Sequence, residues 1–285
     1  MNVRLSNWEG RGRYVRVGDR PIFVWESGEG PPLLALHGFP ASSYDWRLFA
    51  ELTTGHRLVA MDFAGFGLSD KAADGSYSLF TQADIVEAVA ADCGIESCDL
   101  IAHDMGDSVA AELLARHSEN KSSLTIGKAV LTNGSIFIDM AQLTSGQRLF
   151  LKLPPRRLRV ALPVRLFRRQ IRSLFSAEHP LDEDELAIME ELLRHNGGIN
   201  LVPLTIRYIE ERRQHSSRWV NALTEFDGPL ALIWGRQDPV AIVSMVDRLV
   251  SLRPDVQAIV WDDVGHWPQL EVPDRLASEV QAFLD

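Results

Sequence analysis

Residues 99–110 read Asp-Leu-Ile-Ala-His-Asp-Met-Gly-Asp-Ser-Val-Ala, and the fold turns on how this stretch bends. Asp99–Ala102 is a short apolar run, and Val109–Arg116 has the apolar spacing of a helix. A strand should therefore end and a helix begin within a few residues. A turn that sharp strains one residue, and small side chains two positions to either side let strand and helix pack closely. With Asp104 at the turn, those positions hold Ala102 and Gly106. The carboxylate would then project at the N-terminus of the helix, where the dipole and free backbone N–H groups favour an anion. Such an aspartate is a nucleophile that needs no deprotonation. A rival turn at Ser108 is also flanked by small residues, in Gly106-Asp-Ser-Val-Ala110. It would leave His103 and Asp104 inside a buried strand and would remove the first turn of the helix. A reading in which neither residue reacts stays open beside these two.

Outward from the turn, Leu33–Leu36, Leu58–Met61, Leu230–Trp234 and Ala258–Trp261 are further short apolar runs, the pattern of strands buried on both faces. Helical stretches such as Thr81–Ala91 and Pro273–Leu284 alternate with them, which predicts a doubly wound α/β sheet. Tyr14–Val17 and Pro21–Trp25, separated by Gly18-Asp19, read as a hairpin. From Ser135 to Ala222 the periodicity is helical, with 14 Lys and Arg against 10 Asp and Glu. That segment is near +4 in a chain of net charge −10, so the remainder is near −14. The shift predicts a core of residues 1–134 and 223–285 carrying an inserted helical cap, residues 135–222. Seven arginines fall between Arg156 and Arg172 among Leu, Val, Phe and Pro, either as a solvated cap face or as a patch that docks a membrane surface or partner.

A nucleophile on such a sheet needs an acid and then a histidine later in the chain. Asp238 stands just past the Leu230–Trp234 run, and His266 stands 28 residues on, in the loop after the next run. Leu36-His-Gly-Phe-Pro40 follows an early strand, where a glycine turn can aim the Phe39 N–H at the site; the Met105 N–H supplies a second oxyanion donor. His37 and His103 read as packed structural residues, and His117, His179, His195 and His215 as surface ones. The Gly65-Phe-Gly67 segment reads as a structural turn.

Composition limits the alternatives. With 46% hydrophobic and 24% charged residues over 285 positions, the chain is globular, and no apolar run approaches the length of a membrane span. The net negative charge argues against nucleic-acid binding. Cys93 and Cys98 are too few for a disulfide scaffold and lack zinc spacing. No metal or organic cofactor is expected. The first residues lack the apolar segment of a secretory signal, so a cytoplasmic monomer or homodimer is the expectation.

Taken together, HGFP (37–40), DFAGFGLSD (62–70), HDMGD (103–107), GRQDP (235–239) and GHWPQLE (265–271) resemble the α/β-hydrolase superfamily over nearly the whole chain. Within it, the chain resembles the branch with aspartate nucleophiles, the epoxide hydrolases and haloalkane dehalogenases. HGFPASSYDW (37–46), TNGSIF (132–137) and RWVNAL (218–223) are similar to the mesoderm-specific transcript group. The resemblance implies Asp104 as nucleophile, Asp238 as acid, His266 as base and a covalent alkyl-ester intermediate on a small electrophilic substrate. Haloalkane dehalogenases hold the halide with a tryptophan after the nucleophile and an asparagine or second tryptophan. Met105 and Phe39 depart from that pattern, and Asn133 is the remaining candidate, as a halide donor or a loop holder. Epoxide hydrolases carry HGxP and two cap tyrosines that protonate the leaving oxygen; Tyr208, 30 residues before Asp238, matches one, and no other tyrosine falls in the cap. Epoxide hydrolysis to a diol is the implied activity, with haloalkane dehalogenation as the alternative and a non-catalytic binding protein as the reading from another class. Cap residues Leu149, Phe150, Phe167 and Leu201 are expected to set the pocket.

Overall fold

The computed structural model describes residues 3–72, 76–156, 158 and 164–285. Eight strands are formed: β1 (Arg13–Val17), β2 (Arg20–Ser27), β3 (Pro32–Leu36), β4 (Arg57–Met61), β5 (Ser97–His103), β6 (Thr125–Thr132), β7 (Leu230–Gly235) and β8 (Gln257–Trp261). They make one sheet in the order β1-β2-β4-β3-β5-β6-β7-β8. The β1/β2 and β2/β4 pairs are antiparallel and the others parallel. The hairpin closes at Gly18, whose φ of +58° suits a residue without Cβ, and Val17 pairs with Arg20 across it.

Helices α1 (Val3–Arg11), α2 (Arg47–Leu52), α3 (Leu79–Asp92) and α4 (Met105–Ser118) precede β6. Between β6 and β7 lie α5 (Ser145–Lys152), α6 (Val164–Arg172), α7 (Glu183–Arg194), α8 (Val202–Thr205), α9 (Tyr208–Gln214) and α10 (Ser216–Glu225), with a 3-10 stretch over His195–Leu201. Among the described residues this segment holds no strand, and α10 runs through position 222. Arg157 and Arg159, counted in the arginine-rich stretch, lie outside the described residues. The chain closes with α11 (Ser244–Leu252), α12 (Pro268–Glu271) and α13 (Pro273–Leu284).

The apolar runs form strands because alternate side chains divide between two covered faces. Leu34, Leu36, Leu100, Ala102 and Leu232 pack in one cluster with Val86 of α3, Val109 of α4 and Leu223 of α10. Leu33, Ala35, Ile101, Val130 and Ile233 pack in another with Trp8 of α1, Phe49 of α2 and Leu276 of α13. A third cluster joins Ile171, Leu186 and Met189 of the inserted helices to Val240 and Trp267, which follow β7 and β8. The carboxyl ends of β3, β5, β6, β7 and β8 thus open toward the insertion, the edge where parallel sheets place their reactive loops. Among the described residues, no helix is long and apolar enough to cross a membrane.

Candidate active site

Asp104 directly follows β5 and caps α4 with φ 49° and ψ −106°. Holding a non-glycine residue there costs on the order of 1–3 kcal/mol, which the packing around it must offset. Close approach enforces that packing. A Cβ on Gly106 would lie 2.5 Å from the Leu36 carbonyl oxygen, and one on Gly38 would lie 2.7 Å from the Asp104 Cβ. The Asp104 side chain is buried, and its Oδ2 accepts a 2.8 Å hydrogen bond from the Phe39 N–H. Met105 begins α4, so its N–H belongs to the first helical turn, whose amides have no partner within the helix.

The Asp238 carboxylate lies past β7 and is fully engaged. Oδ1 accepts from the N–H groups of Val240 and Ala241 at 2.7 and 3.0 Å. Oδ2 accepts from His266 Nδ1 at 2.7 Å and from Asn133 Nδ2 at 2.8 Å. Burial pushes the His266 pKa down, but the Asp238 charge and hydrogen bond, with Asp104 behind them, outweigh it and raise the pKa above the ordinary 6.5. With Nδ1 donating to Asp238, Nε2 is the nitrogen left to accept a proton. Asp104 and His266 line one cavity of about 220 Å³.

The other polar wall residues are Thr144, Gln147 and Gln170; the remainder are apolar, including Phe39, Phe150, Ile171 and Val240. Leu149, Phe150 and Phe167 line the cavity as the sequence suggests. Leu201 does not: at the N-cap of α8 it is fully buried in the main core cluster. Tyr208 opens α9, with ring centroids 5.5 Å from Phe39 and the Arg212 guanidinium 4.8 Å from its ring. Burial and the Asp104 charge hold its hydroxyl pKa far above the ordinary 10, and the Gln147 side chain hydrogen-bonds to it. Tyr208 stands behind the wall formed by Phe39 and Gln147 rather than in it.

Asn133 needs a correction as a leaving-group donor. It directly follows β6 at φ 46° and is completely buried. Its Nδ2 faces Asp238 and the Gly235 and Gly265 carbonyls, and its Oδ1 accepts from the Gly235 N–H at 2.9 Å. Every polar atom of the amide is spent on holding the acid loop, and the residue does not line the cavity.

Ser108 lies one turn inside α4, away from the strained residue, and its Oγ accepts a 2.5 Å bond from Arg212 Nε. It does not line the cavity. Arg212 is the residue that sequence reasoning missed. Projecting from α9, it is 3% exposed, donates from Nη2 to the Asp104 carbonyl oxygen at 2.6 Å and stands 4.0 Å from Asp104 Oδ1. Nearby, burial holds the Asp107 carboxyl well above its ordinary pKa. Arg212 opposes that rise, so it faces both Asp107 and Asp104.

His37 is structural, as its surroundings in the sequence suggest: Nδ1–H faces the Gly38 carbonyl and Nε2 accepts from the Phe63 N–H. His103 donates from Nε2 to the His266 carbonyl at 2.7 Å and so fixes the histidine loop. The 62–70 segment is also a turn device, with Asp62 accepting from the Ser43 and Leu68 N–H groups and Gly67 pressed against its carboxylate.

These features agree with what the chain is similar to. The family model described as alpha/beta hydrolase fold matches residues 31–273. LipZ of Mycobacterium tuberculosis, a protein named as a hydrolase, is 38% identical over 282 residues, covering 98% of each chain. The mesoderm-specific transcript homolog protein of Bos taurus is 35% identical over 299 residues, covering 100% of this chain and 89% of that one. Among solved structures, a bacterial membrane phospholipase A superimposes with a TM-score of 0.78 at 27% identity, over 99% of this chain and 90% of that one. The sheet, the strained turn and the family match agree: this chain belongs to the α/β-hydrolase family.

Proposed function

We propose that this hydrolase works through an Asp104 nucleophile and an alkyl-ester intermediate, and that its electrophile is an epoxide. One observation carries the reading: the Asp104 carboxylate takes the Phe39 N–H bond in the cavity that His266 also lines, while Ser108 is tied to Arg212 outside it. An Asp104 oxygen attacks an epoxide carbon and the ring C–O bond breaks. The departing oxygen takes a hydrogen bond from the Gln147 amide at the cavity wall, held from behind by Tyr208, and a proton from water, leaving a hydroxyalkyl ester and a hydroxide. His266 Nε2 then removes a proton from water, and the hydroxide adds to the ester carbonyl. The Phe39 and Met105 N–H groups hold the oxyanion. Collapse expels the diol, with the proton passing from His266 to the departing oxygen, and the Asp104 carboxyl formed at the same time gives its proton to the hydroxide left by ring opening, which restores the carboxylate. A halide leaving group is less well served, because the Asn133 amide is committed to Asp238.

General-base help typically contributes about 10²–10⁴-fold, so His266→Gln should spare ester formation and stall hydrolysis. Intact-protein mass spectrometry of that variant with terminal epoxides, beside short haloalkanes, should show an adduct of one epoxide mass, absent from Asp104→Asn. Ser108→Ala should keep turnover. Loss of turnover in Ser108→Ala with organophosphate labelling of the parent at Ser108, or no adduct with any electrophile, would overturn the reading; free halide without diol would replace epoxide by haloalkane.

A further inference from the structure

From residue 140 to residue 177 the sequence holds nine Lys or Arg and no Asp or Glu, in a chain of net charge −10. Much of this charge is carried by α5 and α6, the helices at the mouth of the cavity. Arg168 and Arg172 are ion-paired with Glu190 and Glu183. Lys152, Arg165 and Arg169 are exposed and make no ion pair among the described residues. Between these cations stand Leu149 of α5 and Leu166 of α6, 49% and 37% exposed. Both also line the cavity, so the apolar rim continues without a break into the apolar interior.

Free cations around exposed leucines fit one kind of surface. Against water the leucines gain nothing, and against a nucleic acid they would stay wet while only the cations were used. At an anionic bilayer the guanidinium and ammonium groups meet lipid phosphates while the leucines enter the acyl boundary. The chemistry inside the cavity agrees, since a mostly apolar lining selects a molecule that partitions into lipid. We infer that the face formed by α5 and α6 docks on an anionic lipid surface and admits an apolar substrate from it directly into the cavity. This deepens the function proposed above by naming the phase from which the substrate comes. It is tested by adsorption without turnover, so it stands or falls apart from the Asp104 chemistry.

The test is co-sedimentation of the full chain with phosphatidylcholine vesicles, with and without roughly a third phosphatidylglycerol. Binding is expected only to the anionic vesicles, weakening as salt rises. Each basic residue near such a surface contributes about fivefold, so the Arg165→Gln/Arg169→Gln variant should bind roughly 25-fold more weakly. Its thermal midpoint should match the parent, since both side chains are exposed. Lys152→Gln offers an independent single step of about fivefold. Equal adsorption to both vesicle types, or undiminished binding by the double variant, would overturn the inference. So would a lipid-free dimer in sedimentation equilibrium that the double variant dissolves, because the face would then be an interface between copies.

Discussion

Replacing Arg212 by methionine should destabilise the protein by about 3–5 kcal/mol, the usual cost of removing one member of a buried ion pair. The structure supports a value in that range. Arg212 is 3% exposed, gives hydrogen bonds of 2.6 and 2.5 Å to the Asp104 carbonyl and Ser108 Oγ, and stands 4.0 Å from Asp104 Oδ1. At that separation, with an effective dielectric constant near 20, the charge–charge attraction alone is about 4 kcal/mol. At about 2.1 cal/mol/K per residue, a 285-residue chain has an unfolding entropy near 0.6 kcal/mol/K, so the thermal midpoint should drop by about 5–8 °C. Differential scanning calorimetry measures this directly. Arg212→Lys keeps the charge but cannot reach both acceptors with one fork, so it should fall between parent and methionine variant. A methionine variant melting within about 1 °C of the parent would refute the argument, because it would mean that Asp104 needs no cation behind it.

Other outcomes follow from the same geometry. Asn133→Ala removes the amide that holds Asp238 and should lower kcat by about 10–100-fold; Asn133→Gly, which relieves the φ of 46°, should recover stability but not kcat. Hydrolysis of the ester needs neutral His266, whose pKa is raised above 6.5, so single-turnover hydrolysis should fall as pH drops through a midpoint above that value. Asp45 is fully buried against Trp267 Nε1, and burial raises its pKa from 3.8 to about 7. A carboxyl raised on folding favours the fold below its unfolded pKa and loses that contribution as pH rises to about 7. Denaturant titrations should therefore show Asp45→Asn gaining on the parent by up to about 4 kcal/mol between pH 4 and 8, with no further change above that. A gap independent of pH would contradict the burial argument.

Much of the candidate site was legible because its parts are local. A strained turn needs small neighbours at fixed offsets, and Ala102 and Gly106 announce it around Asp104; contact with Leu36 leaves Gly106 no room for a side chain. The acid and the histidine sit just past apolar runs, and each run becomes a strand whose end faces the same edge. The helix α1 lies in residues 3–11, where no element is read from the sequence, and its place is secured by Trp8 packing against Trp25 at 4.5 Å.

Where the reading failed, partners distant in sequence were responsible. Arg212 and Arg213 are the same residue type in the same short helix, and in the sequence both counted only toward the positive charge of the cap. The direction of α9 buries one against Asp104 and leaves the other in water. Asn133 likewise could have faced a leaving group or a loop, and only the arrival of Asp238, 105 residues later, claimed its amide. The order of strands and helices and the place of the strained turn at Asp104 follow from short-range sterics and periodicity, which the sequence states outright. Which buried charge balances which is decided by crossings between elements far apart in the chain, and those exist only once the chain is packed.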